Sequence, residues 1–390
     1  MVTMETANNA LKTFYLDAVT EAIDKKANPL LARIGKTSSN VVGKEVKKLV
    51  KVGLNGGISA GSETGDLPES NSGDRIVLTA TLKNLYGTIQ ISDKALRASA
   101  NNEGAFVNLL NDEMEDLVKS ANLNFGRMLF GDGSGFVGTA TSMTDDPNVA
   151  NVMDAEGLME GTYVDILSFD GSSVYANNYK VVWVDRETQT AKFSGLRPLA
   201  EVFTSKGIIY IHNSKGYEIT GLKAVFDSSN LYGVNKEEYP MMKPYEKILS
   251  AEINETEIQK AIDKIEEASG SRVNYIVCSW GVKRAISKYF REQGVMLPTM
   301  TIDGGYNALN YNGIPIVGDR FCPSGYMYLL NTDDFKLHQL CDWKWLEGED
   351  GKVLKQIPGK PVYTATLVKY AELVCERPNG QGLIRGIDEA

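Results

Sequence analysis

The strongest constraint in this 390-residue sequence is one long amphipathic helix, which is predicted to start after Asn101 and Asn102 and to end near Phe130. Apolar residues recur there at steps of three and four, the spacing of a single helix face; they are Phe106, Leu110, Met114, Leu117, Ala121, Phe125 and Met128. The glycines at 131, 133 and 135 end the pattern. About 29 residues at about 1.5 Å each span about 43 Å. Few compact domains need a helix of this length.

Two segments with alternating residue character precede the helix. Valine and lysine alternate between Val41 and Val52, and a similar pattern runs from Arg75 to Leu85, which indicates extended strands with one face in water. The segment Gly53 to Gly73 between them holds six glycines and has almost nothing to bury. These features predict a long hairpin with a mobile tip, followed by a short helix that Ser92 caps and that reaches Arg97.

The residues before the hairpin form a predicted arm. A short amphipathic helix is expected between Ala7 and Ile34 and is stopped by Asn28 and Pro29; its apolar residues are Leu11, Phe14, Tyr15, Leu16 and Val19. On this view, the arm and the hairpin bury almost nothing within their own subunit. Elements of this kind need neighbouring molecules.

The chain changes character after the long helix. Short strand-like runs alternate with Gly, Asn and Asp turns between Thr139 and Gly221, which predicts a small β-barrel inserted into another domain; the runs are Tyr163–Phe169, Tyr179–Val184, Ala191–Phe193 and Gly207–His212. From Leu222 the pattern is α/β, with a capping box at Asn254 to Glu257 and a buried strand from Tyr275 to Cys278. Two further extended runs are predicted at Phe335–Leu346 and Pro361–Glu376.

Charge and composition exclude several classes of protein. The 41 Lys and Arg against 50 Asp and Glu give a net charge of −9, so a sequence-reading DNA-binding protein is disfavoured. No apolar run approaches the roughly 18 residues of a membrane helix, and Met1 to Glu5 lack the basic and apolar regions of a signal peptide. We therefore expect a protein made and kept in a cytoplasm, without membrane contact.

The metal-ligating residues are few and scattered. The four cysteines form no C-x-x-C pair, and only His212 and His338 could join them as ligands, so neither a metal site nor a disulfide framework nor a cofactor is predicted; the cysteines are Cys278, Cys322, Cys341 and Cys375. The poverty in histidine also narrows the options for general acid-base catalysis.

Three glycine motifs resemble those of enzymes but lack the required context. Gly57 to Gly61 matches G-x-S-x-G, yet loop-forming residues follow it instead of a helix, and His338 alternates with Lys336 and is expected on a wet strand face. Gly133 to Gly138 matches G-x-G-x-x-G but follows a helix, which indicates a helix stop and linker. Ser62 occupies the position where a phosphate loop needs lysine. We predict no catalytic residue.

Two other clusters have structural interpretations. Asp132, Asp145 and Asp146 match no EF-hand spacing, and turn aspartates usually cap backbone. Trp343 and Trp345 share one face of a strand and are expected to be packing residues.

An arm, a glycine-tipped hairpin, an overlong helix and an α/β lobe form an unusual monomer. With these elements the chain resembles the tailed-phage major capsid protein family of the Hong Kong 97-type fold. The resemblance covers nearly all of the chain outside the insertion and is carried by order and spacing more than by invariant motifs; the stretches are Leu85–Leu96, Glu103–Gly131, Asn312–Val317, Gly325–Leu330 and Tyr363–Glu376.

The resemblance implies an α+β fold with defined parts and an inserted β-barrel. The parts are an N-terminal arm (1–37), an extended-loop hairpin (38–84), a peripheral domain with the long spine helix (85–138), the inserted barrel (139–221), an α/β axial domain (222–338), and return strands with the C-terminus (339–390). It also implies a shell subunit that self-assembles into hexamers and pentamers of an icosahedral head around double-stranded DNA. The subunit would assemble in the host cytoplasm and reside in the virion capsid.

The assembly interface is expected on the arm and the hairpin. Acidic residues near the tip would pair with basic patches on neighbouring subunits; the residues assigned to the interface are Phe14, Tyr15, Lys44, Lys47, Lys48, Lys51, Glu63, Asp66, Glu69, Asp74 and Arg75. In the family's type member an extended-loop lysine forms an isopeptide bond with an asparagine of a neighbour. No lysine lies between Gly53 and Asp74 here, so we expect a shell without covalent cross-links.

The implied partners are copies of the same chain, a separate scaffolding protein, a portal, a decoration protein, and packaged DNA without sequence-specific contact. Two alternatives remain open at this point. One is an encapsulin-like bacterial nanocompartment shell. The other is an α/β enzyme with the barrel as a lid, although no convergent set of acid, base and nucleophile is evident in the sequence.

Overall fold

The computed structural model describes residues 28–53, 55, 57–66, 69, 73–94, 103–171, 173–295, 297–302, 305–348, 351 and 353–389. The predicted arm helix with Phe14 and Tyr15 lies outside the described residues, as does most of the short helix predicted after Ser92. Ser92 itself is the last residue of a strand.

The described part of the chain is rich in strands and contains five α-helices. The helices are α1 (Glu103–Phe130), α2 (Leu199–Val202), α3 (Leu222–Asp227), α4 (Glu255–Ser269) and α5 (Trp280–Glu292). The strands are β1 (Gly35–Thr37), β2 (Val41–Val42), β3 (Glu45–Val52), β4 (Asp74–Thr81), β5 (Lys83–Ser92), β6 (Phe136–Met143), β7 (Val149–Met153), β8 (Tyr163–Ser168), β9 (Val174–Asp185), β10 (Thr190–Ser194), β11 (Gly207–Ile211), β12 (Asn230–Leu231), β13 (Val234–Asn235), β14 (Tyr245–Ala251), β15 (Tyr275–Cys278), β16 (Thr299–Ile302), β17 (Tyr306–Tyr311), β18 (Ile314–Gly318), β19 (Met327–Leu330), β20 (Phe335–Trp345), β21 (Lys355–Gln356), β22 (Val362–Cys375) and β23 (Gly382–Ile387).

The long helix α1 lies on a five-stranded sheet. This sheet has the order β1-β20-β22-β21, and the whole of β5 pairs with residues 362–371 of β22. The prediction of one helix ending at Phe130 is confirmed. Met114, Val118 and Phe125 of the helix are buried in the main core, together with Trp343 and Trp345 of β20. The prediction that these tryptophans are packing residues is also confirmed.

The hairpin consists of β3 and β4, and β2 adds a third strand to their sheet, in the order β2-β3-β4. The predicted strand from Arg75 to Leu85 is divided, because β4 ends at Thr81 and β5 joins the five-stranded sheet instead. The expectation that the arm and the hairpin bury almost nothing was wrong. In the described part of the predicted arm, Leu30, Leu31 and Ile34 are buried in the main core. The hairpin is partly buried as well. Alternate residues on its inner face belong to the main core, since the paired strands present one apolar face to the body; they are Val46, Ile76, Leu78 and Ala80.

Residues 136–211 form a closed barrel in which the strand order is β10-β7-β6-β11-β8-β9. The barrel has its own hydrophobic core, distinct from the two other cores that the described residues form; it includes Val164, Ile166, Val181, Phe193 and Ile209. Both ends of this segment connect to the body next to the C-terminal end of α1, because α1 ends at Phe130 shortly before β6, and Gly221, just before α3, lies against the carbonyl oxygens of Met128 and Leu129.

The α/β lobe is a seven-stranded sheet of order β14-β23-β19-β15-β18-β17-β16. The predicted capping box is confirmed, since the Asn254 side chain accepts a hydrogen bond from the Glu257 amide at 3.0 Å. In β15 the side chains of Tyr275 and Val277 join the main core, whereas Ile276 and Cys278 face the core that includes α4 and α5. The sequence of a central strand that is covered on both faces is continuously apolar.

The expectation that His338 lies on a wet strand face was wrong. It is buried in β20, where β1 pairs in parallel alongside it, and its Nδ1 lies 3.0 Å from the Ser39 carbonyl oxygen. Burial lowers the pKa of His338 from its ordinary value. The alternation with Lys336 shows which residues share a face of the strand. It does not show that the segment with β1 and Ser39 covers His338.

Candidate assembly surface

The motifs that resemble enzyme sites are dispersed over the structure. Ser59 lies in the exposed loop of the hairpin, His338 is buried in β20, and the Nδ1 atom of His212 is 2.7 Å from Asp165 in the barrel. Within the described residues, no group of three or more His, Cys, Asp or Glu side chains could hold a metal ion. Among the helices that the structure describes, none has the length and apolar character to cross a lipid bilayer.

The aspartates considered for calcium have local partners. The Asp132 carboxylate accepts a hydrogen bond from the Ser134 amide at 2.9 Å, and Asp146 accepts one from the Asn148 amide at 2.9 Å and one from Lys192 at 3.0 Å. These backbone bonds favour the charged carboxylate, and the pKa of Asp146 is lowered chiefly for this reason. The prediction that these turn aspartates cap backbone is confirmed for both.

The outward face of the hairpin combines apolar and basic residues. We call it the outer face; it comprises residues 45, 47, 49 and 51 of β3 and their partners 81, 79, 77 and 75 of β4. Leu49 and Val77 are directly opposed in the register and are 54% and 49% exposed. Lys47, Lys51 and Arg75 flank this apolar pair on the same face. Directly opposed exposed apolar side chains on a strand pair form a small patch that a partner can cover.

The predicted interface lysines are not equivalent. Lys48 lies on the inner face, and its Nζ atom is 2.9 Å from Glu376, so it ties the hairpin to its own subunit. Lys47 is 3.3 Å from Glu45, its neighbour on the outer face. Lys44 is exposed in the turn before β3. The geometry therefore separates Lys48 from the residues that face outward.

The described part of the hairpin tip is acidic. Glu63, Asp66 and Glu69 are all exposed, and so is Ile58 in the same loop. Asp74 is the first residue of β4, but its side chain lies outside what the structure describes, as do Phe14 and Tyr15. The tip and the outer face thus carry opposite charge on one element.

The root of the hairpin is held by a two-residue turn that our reading of the sequence missed. The amide of Thr79 in β4 donates to the Tyr232 carbonyl oxygen at 2.9 Å. Tyr232 lies between β12 and β13, and its hydroxyl donates to the Leu373 carbonyl oxygen at 3.0 Å and accepts from the Cys375 amide at 3.1 Å. The sequence signal for this turn is slight: the dipeptide Tyr232-Gly233 lies between Leu231 and Val234, which pair across it.

The barrel is joined to the body by two buried carboxylates that the sequence analysis also missed. Arg127 of α1 forms an ion pair with Glu218, and both side chains are almost completely buried. The Glu372 carboxylate accepts hydrogen bonds from the Thr220 amide at 2.6 Å and from the Leu373 amide at 3.1 Å. Burial raises the pKa of Glu372 to about 7.

The glycines after α1 allow the two chain segments of this junction to approach closely. Gly135 has a φ of 82°, and a Cβ atom there would lie 2.8 Å from the Ser214 carbonyl oxygen. A Cβ atom on Gly221 would overlap the Met128 carbonyl oxygen. These residues therefore end the helix and seat the returning chain, which agrees with the predicted helix stop and linker.

A cavity of about 790 Å³ lies between β5, α1 and the segment that returns from the barrel. Phe125, Met128 and Trp343 contribute apolar walls, and Lys83 and Glu218 contribute charged ones. The Lys83 ammonium donates to the Gly216 carbonyl oxygen at 3.1 Å, so the return segment is bonded to β5 across the cavity.

The chain is similar in sequence and in fold to capsid proteins. The family model of the SU10 major capsid protein matches residues 3–351. No curated protein matches the sequence. The fold is similar to that of a chain in the cyanophage A-1(L) capsid asymmetric unit, with a TM-score of 0.55 and 13% identity over 99% of each chain.

Two further solved structures are less similar to this chain. A chain of Mycobacterium phage Bobi matches at 9% identity over 100% of each chain, with a TM-score of 0.48. The holo-SrpI encapsulin complex from Synechococcus elongatus PCC 7942 matches at 9% identity over 100% of this chain and 96% of the other, with a TM-score of 0.46.

Proposed function

The chain belongs to the SU10 major capsid protein family, and from this premise we propose that the outer face and the tip of the hairpin are surfaces through which neighbouring subunits contact one another. As a major capsid protein of a tailed phage, the chain forms the icosahedral shell of the head and is part of the virion. The observation that carries the proposal is the exposed Leu49 and Val77 pair, flanked by Lys47, Lys51 and Arg75 on a chain with a net charge of −9.

We further propose that the architecture is of the Hong Kong 97 type with an inserted barrel, divided as set out in the sequence analysis. Support comes from the order of the elements: a hairpin, a 28-residue helix, a barrel and a seven-stranded α/β lobe follow one another in the chain. In this arrangement the hairpin is the extended loop that reaches a neighbour, α1 is the spine of the peripheral domain, and the seven-stranded sheet lies near the capsomer axes.

The same resemblance supplies the proposed partners. Subunits assemble into hexamers and pentamers that enclose double-stranded DNA without sequence-specific contact. The negative net charge supports this, because a wall of that charge does not hold the packaged phosphates in place. A separate scaffolding protein, a portal and a decoration protein complete the set.

A substitution on the outer face tests the proposal. Leu49→Asp places a charge in the centre of the apolar patch, so we expect the yield of closed particles to fall by about tenfold or more, as for the loss of a central interface contact. The folded subunit is expected to melt at the wild-type temperature, because Leu49 is half exposed. Particle yield is measured by electron microscopy of gradient fractions, and subunit stability by thermal melting.

Val182→Asp is the matched control, because Val182 is 45% exposed on the barrel strand β9. It is expected to leave the yield of particles unchanged. Wild-type yield with Leu49→Asp would refute the role of the outer face, and an equal loss with both variants would show a general effect of added charge.

The absence of lysine between Gly53 and Asp74 leads to a second prediction. Purified particles boiled in detergent are expected to give a single band near 42.7 kDa on a denaturing gel, because no tip lysine is available for an isopeptide bond. A ladder of multimers would contradict this. Lys51→Arg, which keeps the charge but cannot form the bond, would then show whether Lys51, the base lysine nearest the tip, supplies the amine.

A further inference from the structure

The turn at Tyr232 connects the hairpin to the five-stranded sheet through a single residue. Leu231 pairs with Val234, which leaves Tyr232 and Gly233 as a two-residue turn, with φ values of 51° and 79°. Turns of this kind need positive φ at both positions and favour Asn or Gly. A bulky aromatic residue in the left-handed region is uncommon and points to a role that offsets the strain.

The hydroxyl of Tyr232 lies at a sheet edge that no strand of the described residues pairs with. Strand β5 pairs with β22 only as far as Ala371, so residues 372–375 continue beyond it. The Tyr232 hydroxyl bonds the Leu373 carbonyl oxygen and the Cys375 amide on this stretch. The ring is buried in the main core. The side chain thus takes the place that a continued β5 would have filled.

The backbone of Tyr232 holds the hairpin at the same time. Its carbonyl oxygen accepts the Thr79 amide of β4, a strand whose other edge pairs with β3. The turn itself is anchored, because the buried Lys236 ammonium donates to the carbonyl oxygens of Val225 at 2.6 Å and Phe226 at 3.0 Å near the end of α3. Tyr232 is therefore a short, fixed connection between the hairpin and β22.

We propose that Tyr232 is a positioning residue that sets the angle of the hairpin relative to the body, and through it the curvature at which neighbouring subunits meet. The proposal rests on the proposed function of the hairpin as an intersubunit contact. A change of angle at the root is amplified along the eight-residue strands β3 and β4, so a small change there displaces the outer face. Loss of the connection leaves the contact residues present but less well aligned.

The first test is Tyr232→Phe, with Tyr275→Phe as its control. Tyr275 is also buried in the main core, and its hydroxyl has no hydrogen-bond partner among the described residues, so its removal breaks no such bond. Tyr232→Phe is expected to lower the melting temperature of the subunit by about 2 to 5 °C, as for one or two lost hydrogen bonds in a chain of this size. Tyr275→Phe is expected to leave it unchanged.

Particle diameter distinguishes positioning from a merely structural role. With Tyr232→Phe, the fraction of closed particles at the wild-type diameter is expected to fall by about fivefold, the factor that corresponds to one lost hydrogen bond, with open or irregular shells in their place.

Thr79→Pro removes the same connection from the hairpin side, at a strand edge that tolerates proline, and is expected to have the same effect on particle diameter. Thr79→Ala keeps the amide and is its control.

The results distinguish the positioning role of Tyr232 from the proposed contact through the outer face. If Tyr232→Phe and Thr79→Pro lower the melting temperature but leave the diameters at the wild-type value while Leu49→Asp abolishes particles, the positioning role is wrong and the outer-face contact stands. If Leu49→Asp also leaves particles unchanged, the proposed function of the hairpin fails as well.

Discussion

Replacing Arg127 with methionine is expected to lower the free energy of unfolding by about 3 to 5 kcal/mol, because it leaves the Glu218 carboxylate buried without its cation. Both side chains are at most 4% exposed, so solvent does little to compensate the carboxylate for the lost guanidinium. Arg127 also donates from Nε to the Asn124 side chain at 2.9 Å, a bond that the variant loses. Urea denaturation of the unassembled subunit measures the change.

The double variant Arg127→Met with Glu218→Leu is the control. A buried ion pair replaced by apolar residues of similar volume is often neutral or stabilising, so the double variant is expected to recover most of the loss. If it is no more stable than Arg127→Met alone, the loss arises from packing and from the Asn124 bond, not from an uncompensated charge. Either result shows what holds the returning barrel segment to α1.

Glu372→Gln is expected to remove a dependence of stability on pH. The pKa of Glu372 is raised to about 7 in the folded chain from an ordinary value of 4.5, because burial disfavours the carboxylate. The folded state therefore holds the Glu372 proton more tightly than the unfolded state does. The stability that this proton contributes is fully present below pH 4.5 and is lost as the pH rises through 7. The difference between these values corresponds to about 3 kcal/mol.

The measurement is the free energy of unfolding of both proteins at intervals between pH 4.5 and 8. The wild type is expected to lose about 3 kcal/mol relative to Glu372→Gln across this range. Burial also raises the pKa of Asp319, to about 6, and that of Asp334, but both groups are present in both proteins and cancel in the comparison. Parallel curves would show that Glu372 does not titrate in this window.

Elements set by local spacing were predicted correctly from the sequence. The long helix follows from apolar residues at steps of three and four that end at Gly131, and the capping box at Asn254 follows from side chains three residues apart. The strands of the hairpin follow from a period of two. Each of these signals depends on residues that are close together in the sequence and are therefore also close together in space.

Coverage by distant segments was not visible in the sequence. The period-two pattern of β3 identified two faces but could not show that Val46 would be buried in the main core. The same limit produced the error at His338, which Ser39 and β1 cover. Periodicity reports which residues share a face, whereas the segment that packs on that face is chosen by tertiary contacts.

The sequence by itself therefore determined the elements, their order and the family resemblance, because these depend on short-range periodicity, capping and spacing. Only the tertiary structure decided the connections that position the hairpin and the barrel. Arg127 and Glu218 lie 91 residues apart, Tyr232 and Leu373 lie 141 apart, and Thr220 and Glu372 lie 152 apart. Such pairs form when burial strengthens an ion pair or a hydrogen bond that would contribute little net free energy in water. Burial is a property of the folded chain.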